Sequence, residues 1–397
     1  MARSIGPDLG RRDFLLTSLA GGATLLTGSE ASFSAWLAQA PCADPFRGGR
    51  LLGTVRLQGR NARPIPVDTR LGVGLDARQF TDLSTLTPDR LTTPIGEFFV
   101  RTSYPDRLVA PEPWTITLSG LVDRPVALAI RDLEPLVRPM GERLLECAGN
   151  ADPGTFGLMS AATWDGVSLA SVLDRVTPLA RATRVRIAGA DEHSTTARTS
   201  TPDASWIFTF DDLARAGAFL ATRMNGVPLP PDHGHPVRLV VPGWYACTAV
   251  KWVNAIQFLD DTAPATPQMR EFASRTHQAG IPALAKDYRP ALIDQAAMPI
   301  RVEQWQVDGA IVYRVVGIMW GGSTITTALS IRFGARQPYE PVTVCPVPST
   351  NTTWSLWTHA WRPTAQGRHE IVLQVDDPAV LTRRLDLYYY TREVWIE

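Results

Sequence analysis

The most informative stretch of the chain is Leu144-Leu145-Glu146-Cys147-Ala148-Gly149-Asn150. It places Cys147 at the end of an apolar segment and directly before small residues, which let a ligand approach the backbone closely. Two interpretations are open for such a cysteine. A buried cysteine often serves as a small apolar side chain, whereas its thiolate is a soft ligand for a transition metal. The segment alone does not separate them, so the surrounding sequence has to decide.

Composition bounds the size and the surface of the protein. The chain has 397 residues, of which 45% are hydrophobic, and this is enough to bury two cores. Its 39 Lys and Arg residues equal its 39 Asp and Glu residues, so no broad basic surface is expected for nucleic acid. The 32 prolines and 30 glycines are scattered along the chain, which predicts many turns between short strands.

Cysteine spacing narrows the kinds of metal site. Cys42, Cys147, Cys247 and Cys345 contain no C-x-x-C pair and no C-x-x-C-H sequence. A zinc cluster and a covalently bound haem are therefore not supported. The disulfide status of Cys42, Cys247 and Cys345 stays open, and at least one thiol is expected to be free for chemistry.

Residues 1–40 differ from the rest of the chain. Arg11-Arg12-Asp13-Phe14-Leu15-Leu16 leads into an apolar stretch rich in Ala and Gly over residues 17–27, which resembles a twin-arginine export signal. An amphipathic helix is the alternative, but Gly21 and Gly22 and the missing polar stripe argue against it. The apolar run is too short to span a bilayer. We expect export of the folded protein to the periplasm, without a membrane span in the mature chain.

Hydrophobic patterning predicts an α+β protein with two domains. Over residues 41–282, alternating segments such as Trp114–Leu118 mix with helical spacing at Leu169–Val176 and Asp211–Leu220, where Asp211 is a plausible N-cap. Further strands are expected at Arg184–Ile187, Arg238–Val241 and Ile256–Leu259. Residues 283–397 carry strand patterns bounded by turns, which predict an immunoglobulin-like β-sandwich. These patterns cover Ile300–Val307, Ile311–Ile318, Thr326–Phe333, Trp354–Trp361, His369–Val375 and Tyr388–Trp395.

Several segments match one known family in the same order. Cys147-Ala148-Gly149-Asn150, followed by Ala162-Thr163-Trp164-Asp165-Gly166, resembles the cofactor-ligand segment of the sulfite oxidase superfamily. The run Met224–Arg238 is similar to the most recognisable run of that family. The resemblance implies a molybdopterin domain over residues 41–282 and a molybdenum–molybdopterin cofactor. Cys147 would supply the protein thiolate to the metal, which favours a soft ligand.

The resemblance also implies contacts to the rest of the cofactor. Glu97-Phe98-Phe99-Val100-Arg101 is similar to the family segment whose arginine reaches the substrate oxygens, and it continues with Thr102-Ser103 where the family has Asn-His. Basic groups suit a phosphate, and hydrogen-bonding groups suit a pterin. The residues implied in cofactor binding are Phe99, Val100, Arg101, Thr102, Ser103, Cys147, Asp191, His233, Arg238, Ala249, Val250 and Lys251.

The C-terminal part is similar to the dimerisation domain of the same superfamily. The resemblance rests on Gly317–Gly322 and on Trp354, Trp357 and Trp361, and it implies a homodimer. Taken by themselves, tryptophans at these offsets are more typical of a sandwich core or an interface than of a cofactor site.

The substrate pocket departs from the family pattern. Where sulfite oxidases have two arginines after Cys-Ala-Gly-Asn, this chain has Ala151-Asp152, and Ser323 and Thr324 stand where another arginine is usual. The expected tyrosine is replaced near Arg275-Thr276-His277, so His277 joins Cys147 and Arg101 as a catalytic candidate. A carboxylate at Asp152 would repel a dianion.

The function implied by the resemblance is oxygen-atom transfer between water and a small sulfur substrate, with sulfite as the first candidate. Because no haem-binding motif is present, electrons would pass to an external carrier such as a cytochrome c. A sulfane-sulfur dehydrogenase and an S- or N-oxide reductase remain open on the same scaffold. A non-catalytic periplasmic binding protein is the alternative from another class.

Overall fold

The computed structural model describes residues 44–55, 57–58, 77–102, 113–150, 156–190, 204–387 and 389–397. The predicted export signal, Ser103, Asp152 and Asp191 lie outside these ranges, as does the side chain of Thr102. Among the described residues, the helices are all too short or too polar to cross a membrane.

Strands dominate the described chain. They are β1 (Arg50–Val55), β2 (Leu57–Gln58), β3 (Ala77–Gln79), β4 (Val100–Thr102), β5 (Thr115–Gly120), β6 (Val126–Ala129), β7 (Arg138–Glu146), β8 (Met159–Ser168), β9 (Arg184–Gly189), β10 (Ser205–Thr209), β11 (Phe219–Met224), β12 (Val227–Pro228), β13 (Arg238–Val240), β14 (Val253–Leu259), β15 (Ala296–Val307), β16 (Ala310–Trp320), β17 (Leu329–Phe333), β18 (Glu340–Pro341), β19 (Thr343–Val344), β20 (Ser355–Trp361), β21 (Gly367–Val375) and β22 (Arg392–Ile396). The α-helices are α1 (Ile130–Leu133), α2 (Leu169–Leu173), α3 (Phe210–Ala216) and α4 (Pro267–Glu271). This mixture of short helices and many strands confirms the predicted α+β class.

The first part of the chain builds two larger sheets and one small one. The order β10-β9-β14-β5-β6 has one parallel pair, between β14 and β5. The second sheet runs β12-β11-β8-β7, with β13 also paired to β11, and β3 pairs with β4. The helix predicted over Asp211–Leu220 is shorter than expected. Gly217 adopts a left-handed conformation that ends α3, and Thr209 rather than Asp211 caps it, by accepting a hydrogen bond from the Asp212 N–H.

The second part builds two further five-stranded sheets, ordered β1-β15-β16-β20-β19 and β18-β17-β21-β22-β2. Each strand predicted after residue 283 overlaps an observed strand. β1 pairs with β15 and β2 pairs with β22, so residues 50–55 and 57–58 lie in the sheets of the C-terminal half. The sequence pattern alone assigned them to the first domain. The division at residue 283 stays a prediction.

Three tryptophans of the C-terminal half lie in the core, which agrees with their interpretation as sandwich core residues rather than cofactor ligands. Trp354, Trp357 and Trp361 are buried. Trp357 donates to the Ile318 carbonyl at 3.0 Å and packs so closely on Gly317 that a Cβ there would lie 2.0 Å from its ring. A second, smaller buried cluster lies in the first half around Phe98, Phe99, Cys147, Trp164 and Ala249. This smaller cluster includes three of the predicted site residues, Phe99, Cys147 and Ala249.

Candidate cofactor and substrate site

Cys147 follows the last residue of β7 and is buried, with 7% of its surface exposed. Its N–H donates to the Leu158 carbonyl at 2.9 Å, which holds the cysteine beside β8. The Gly149 N–H points to the sulfur at 3.4 Å. Burial raises the pKa of the Cys147 thiol, while the Gly149 N–H and the charges of Arg101 and Arg275 act in the opposite direction. The sulfur is therefore placed where bound positive charge would hold it as a thiolate.

Two guanidinium groups lie close enough to Cys147 to lower its pKa. One belongs to Arg101 in β4, which the sequence predicted as a site residue. The other belongs to Arg275, in a short 3₁₀ turn over Ser274–Thr276. A Cβ on Gly149 would lie 3.5 Å from Nη1 of Arg275 and 3.7 Å from the sulfur of Cys147. Arg275 was not among the predicted site residues, although it belongs to the run that drew attention to His277.

A second cluster of basic groups surrounds Gly234. Arg238 is buried, and its guanidinium donates to the carbonyls of His233 and Ala249 at 3.2 Å each. The Lys251 ammonium donates to the Asp232 carbonyl at 2.5 Å. A Cβ on Gly234 would meet Arg238 at 3.0 Å and Lys251 at 3.1 Å. The structure therefore brings together four residues that the sequence predicted to bind the cofactor, His233, Arg238, Ala249 and Lys251.

The chemistry of this cluster fits an anionic group. Burial lowers the pKa of the Arg238 guanidinium to about 10, so it stays charged at neutral pH. Its Nε is buried with no hydrogen-bond partner among the described residues. A phosphate would satisfy such a donor and neutralise the charge. The absence of a Cβ at Gly234 lets Arg238 and Lys251 pack closely against this turn.

The segment before Arg101 joins the two clusters. The Phe99 N–H donates to the Ser160 hydroxyl at 2.9 Å, which fixes this segment against β8. The Phe98 ring lies edge-on to the His233 ring with 5.3 Å between centroids. Phe99, Val100 and Val250, which the sequence predicted to contact the cofactor, are buried.

His277 lies at the exposed side of the site. Its Nε2 is 3.0 Å from Oδ2 of Asp294, and its ring centroid is 6.4 Å from that of Tyr245. Its backbone is left-handed, with φ of 58°. His277 lies two residues after Arg275, whose guanidinium lies near Cys147. Asp294 had no sequence signal, because its role depends on a contact formed only in the fold.

The remaining cysteines have different states. Cys247 is free and buried, and burial, together with the nearby Cys147, raises its pKa well above the ordinary value. Cys345 is disulfide-bonded. No group of three or more His, Cys, Asp or Glu side chains in the described part of the chain could hold a metal by itself.

Comparisons with known proteins find molybdopterin-binding relatives. The family described as the oxidoreductase molybdopterin binding domain matches residues 102–266. A nitrate reductase [NADPH] of Aspergillus niger is 33% identical over 183 residues, which cover 41% of this chain and 20% of that protein. Sulfite oxidase of Gallus gallus is 26% identical over 308 residues, or 68% of this chain and 63% of that protein.

The fold has a solved relative over nearly its whole length. The sulfane dehydrogenase SoxCD of Paracoccus pantotrophus covers 98% of this chain with a TM-score of 0.63 and 17% identity, and all of that chain is covered. This likeness concerns the fold. The chain spans about a fifth of the nitrate reductase and less than two thirds of the sulfite oxidase.

Proposed function

We propose that this chain transfers an oxygen atom between water and a small sulfur oxyanion, with sulfite as the first candidate. The proposal rests on the chain's membership in the sulfite oxidase superfamily of molybdopterin oxidoreductases. The molybdenum–molybdopterin cofactor supplies oxygen-atom transfer and accepts two electrons when it is bound. The protein's own residues bind this cofactor, orient the substrate and manage protons.

Cys147 is the proposed metal ligand, and the cluster around Gly234 is the proposed phosphate site. The buried Nε of Arg238 and the ammonium of Lys251 support this assignment. We assign Phe99, Val100, Thr102, Ala249 and Val250 to the walls around the pterin. Ser103 and Asp191 keep their proposed contacts, although they lie outside the described residues.

The observation that carries the proposal is the pair of guanidinium groups beside Cys147. Arg101 and Arg275 both bring positive charge to the thiol, and two such groups attract and orient an oxyanion. Arg275 supplies the second cation that the sequence pattern lacked after Asn150. A neutral S- or N-oxide would gain less from this positive charge than an anion does, so the pair favours an oxyanion over that alternative.

Protons are assigned to His277. Oxidation of sulfite, with water as the source of the oxygen atom, releases two protons together with two electrons, and the His277 imidazole is the proposed base for these protons. Asp294, 3.0 Å from Nε2 of His277, would stabilise the protonated ring. His277 is exposed, so a proton held there exchanges with solvent.

Nitrate is the second candidate substrate. The similarity to nitrate reductases over 183 residues supports it, and nitrate is a small oxyanion that the same two arginines would bind. A sulfane-sulfur substrate is a third, and the fold likeness to a sulfane dehydrogenase is compatible with it.

The cellular compartment is proposed from the N-terminal sequence and from the disulfide at Cys345. We place the enzyme in the periplasm, after export by the twin-arginine route, and the disulfide at Cys345 supports an oxidising compartment. Electrons would pass to an external carrier such as a cytochrome c. The C-terminal half would form a homodimer.

Metal analysis combined with a substrate screen tests the proposal. Protein purified after expression with molybdate should contain stoichiometric molybdenum and should reduce an artificial dye with sulfite. The same assay with thiosulfate, and a reductive assay with nitrate and dimethyl sulfoxide, separates the alternatives. Protein that folds without molybdenum under these conditions would support a non-catalytic binding protein instead.

A further inference from the structure

Glu146, the residue before Cys147, is a fully buried carboxylate. It accepts hydrogen bonds from Nη1 and Nη2 of Arg383 at 2.8 and 2.7 Å, and from the Trp320 indole N–H at 2.9 Å. Burial disfavours the charge of Arg383, but Glu146 outweighs this and raises the pKa of Arg383 above its ordinary value. The two parallel N–H···O contacts make the carboxylate and the guanidinium a bidentate pair inside the protein.

The donors of this pair come from the C-terminal half. Trp320 is the last residue of β16, and Arg383 lies between β21 and β22. The Arg383 N–H donates to the Gln295 carbonyl at 2.9 Å, and the Gln295 amide donates to the Trp320 carbonyl at 3.0 Å. The Tyr390 hydroxyl accepts a further hydrogen bond from Arg383 at 3.0 Å. Arg383 is thus held at its backbone and at its side chain.

The other side of Cys147 is held just as firmly. The Asn150 side-chain carbonyl accepts from the N–H groups of Gly157 and Leu158, each at 3.0 Å. The Asn150 N–H donates to the Cys147 carbonyl at 2.9 Å. Cys147 therefore lies between two residues whose positions are fixed, Glu146 by the C-terminal half and Asn150 by the start of β8.

A buried ion pair is a weak source of stability, because desolvation offsets much of its attraction, but its geometry is demanding. We propose that Glu146 and Arg383 are positioning residues that hold the Cys147 sulfur in the direction the metal requires. The C-terminal half is then part of the metal site through Arg383 and Trp320, in addition to its expected role in dimerisation. This inference rests on the proposed function of Cys147 as metal ligand.

The test compares Glu146→Gln and Arg383→Lys with Glu303→Gln. Glu303 is the matched control, because it too is a buried carboxylate, paired with Arg314 at 2.6 Å and Arg301 at 2.8 Å, but within the C-terminal sheets. The readouts are the thermal midpoint, the molybdenum content, kcat and KM separately, and the electron paramagnetic resonance spectrum of Mo(V) after partial reduction.

All three variants should lower the thermal midpoint. Glu146→Gln should shift the Mo(V) spectrum and lower kcat or metal retention by about 10- to 100-fold. Arg383→Lys should give a smaller change of the same kind, and Glu303→Gln should change neither the spectrum nor kcat. A wild-type spectrum and kcat in Glu146→Gln, or the same loss in Glu303→Gln, would overturn the positioning role. An unchanged spectrum in Cys147→Ser would instead remove the ligand assignment and, with it, this inference.

Discussion

At the residue scale, the positive charge beside Cys147 distinguishes an oxyanion site from a neutral one. Arg275→Ala should raise KM for sulfite about tenfold, or about 1.4 kcal/mol in binding, because one of two guanidinium groups is removed. The stability should change little, since Arg275 is exposed. Steady-state kinetics at constant ionic strength measures this.

Arg336→Ala serves as the control for that substitution, because Arg336 is an exposed arginine in the turn after β17. An unchanged KM in Arg275→Ala, or an equal rise in both variants, would contradict a specific anion contact at Arg275.

The residues of the site were only partly predictable. Cys147, Arg238 and Lys251 belong to sequence segments whose residue types indicate a metal ligand and a phosphate site. The fold places them in the two clusters described above. Arg275 and the pair Glu146–Arg383 carry no such signal. Their roles arise from contacts between positions far apart in the chain, as the 237-residue separation of Glu146 and Arg383 illustrates.

At the element scale, close packing between strands makes Gly317 in β16 irreplaceable. A Cβ at this position would lie 2.0 Å from the Trp357 ring and 2.5 Å from the Met298 carbonyl. Neither a central indole nor a paired strand has room to move, so Gly317→Ala should lower the free energy of unfolding by about 3 kcal/mol. Denaturant unfolding monitored by tryptophan fluorescence measures the change.

Gly53→Ala in β1 is the matched substitution, because a Cβ there meets nothing within 4 Å. It should shift the free energy of unfolding by less than about 0.5 kcal/mol. Similar losses for both glycines would mean that the packing of Trp357 on β16 is looser than described.

A buried carboxylate in β15 gives the fold a defined pH response. Burial would raise the pKa of Glu303, but hydrogen bonds from Arg301, Trp305 and Arg314 outweigh it and keep the pKa below its ordinary value. A pKa lowered by folding contributes stability above the ordinary value, about 4.3, that is lost as the pH falls through the folded value. Glu303→Gln should therefore be less stable than wild type at pH 7, with a difference that shrinks below about pH 4.

Urea unfolding between neutral and acidic pH tests this dependence, with Asp308→Asn in the exposed turn after β15 as the control. A constant difference between Glu303→Gln and wild type across that range would show that the carboxylate charge is not the cause.

Element types were more predictable than element partners. Apolar segments bounded by turn residues predicted the strands of the C-terminal half, and each predicted strand overlaps an observed one. The pairing of residues 50–55 and 57–58 with β15 and β22 could not be predicted, since such short strands carry little pattern and pair across more than two hundred residues. α3 ends early because Gly217 adopts a left-handed conformation, whereas the prediction followed the apolar periodicity beyond this glycine.

At the scale of the whole molecule, the two halves meet at the proposed metal ligand. The strand that ends at Glu146 carries the sulfur, and the C-terminal sheets supply the donors that hold Glu146 in place. Coupling of this kind implies that changes in the C-terminal half reach the chemistry through Arg383 and Trp320. The bond on which the functional proposal depends is that between Cys147 and molybdenum.

X-ray absorption at the molybdenum edge measures this bond directly, by comparing the wild-type protein with Cys147→Ser loaded under the same conditions. We expect the sulfur shell around molybdenum to lose the protein's contribution in the variant, together with turnover, while circular dichroism remains unchanged. An identical sulfur shell in both proteins would contradict the role of Cys147 as the metal ligand.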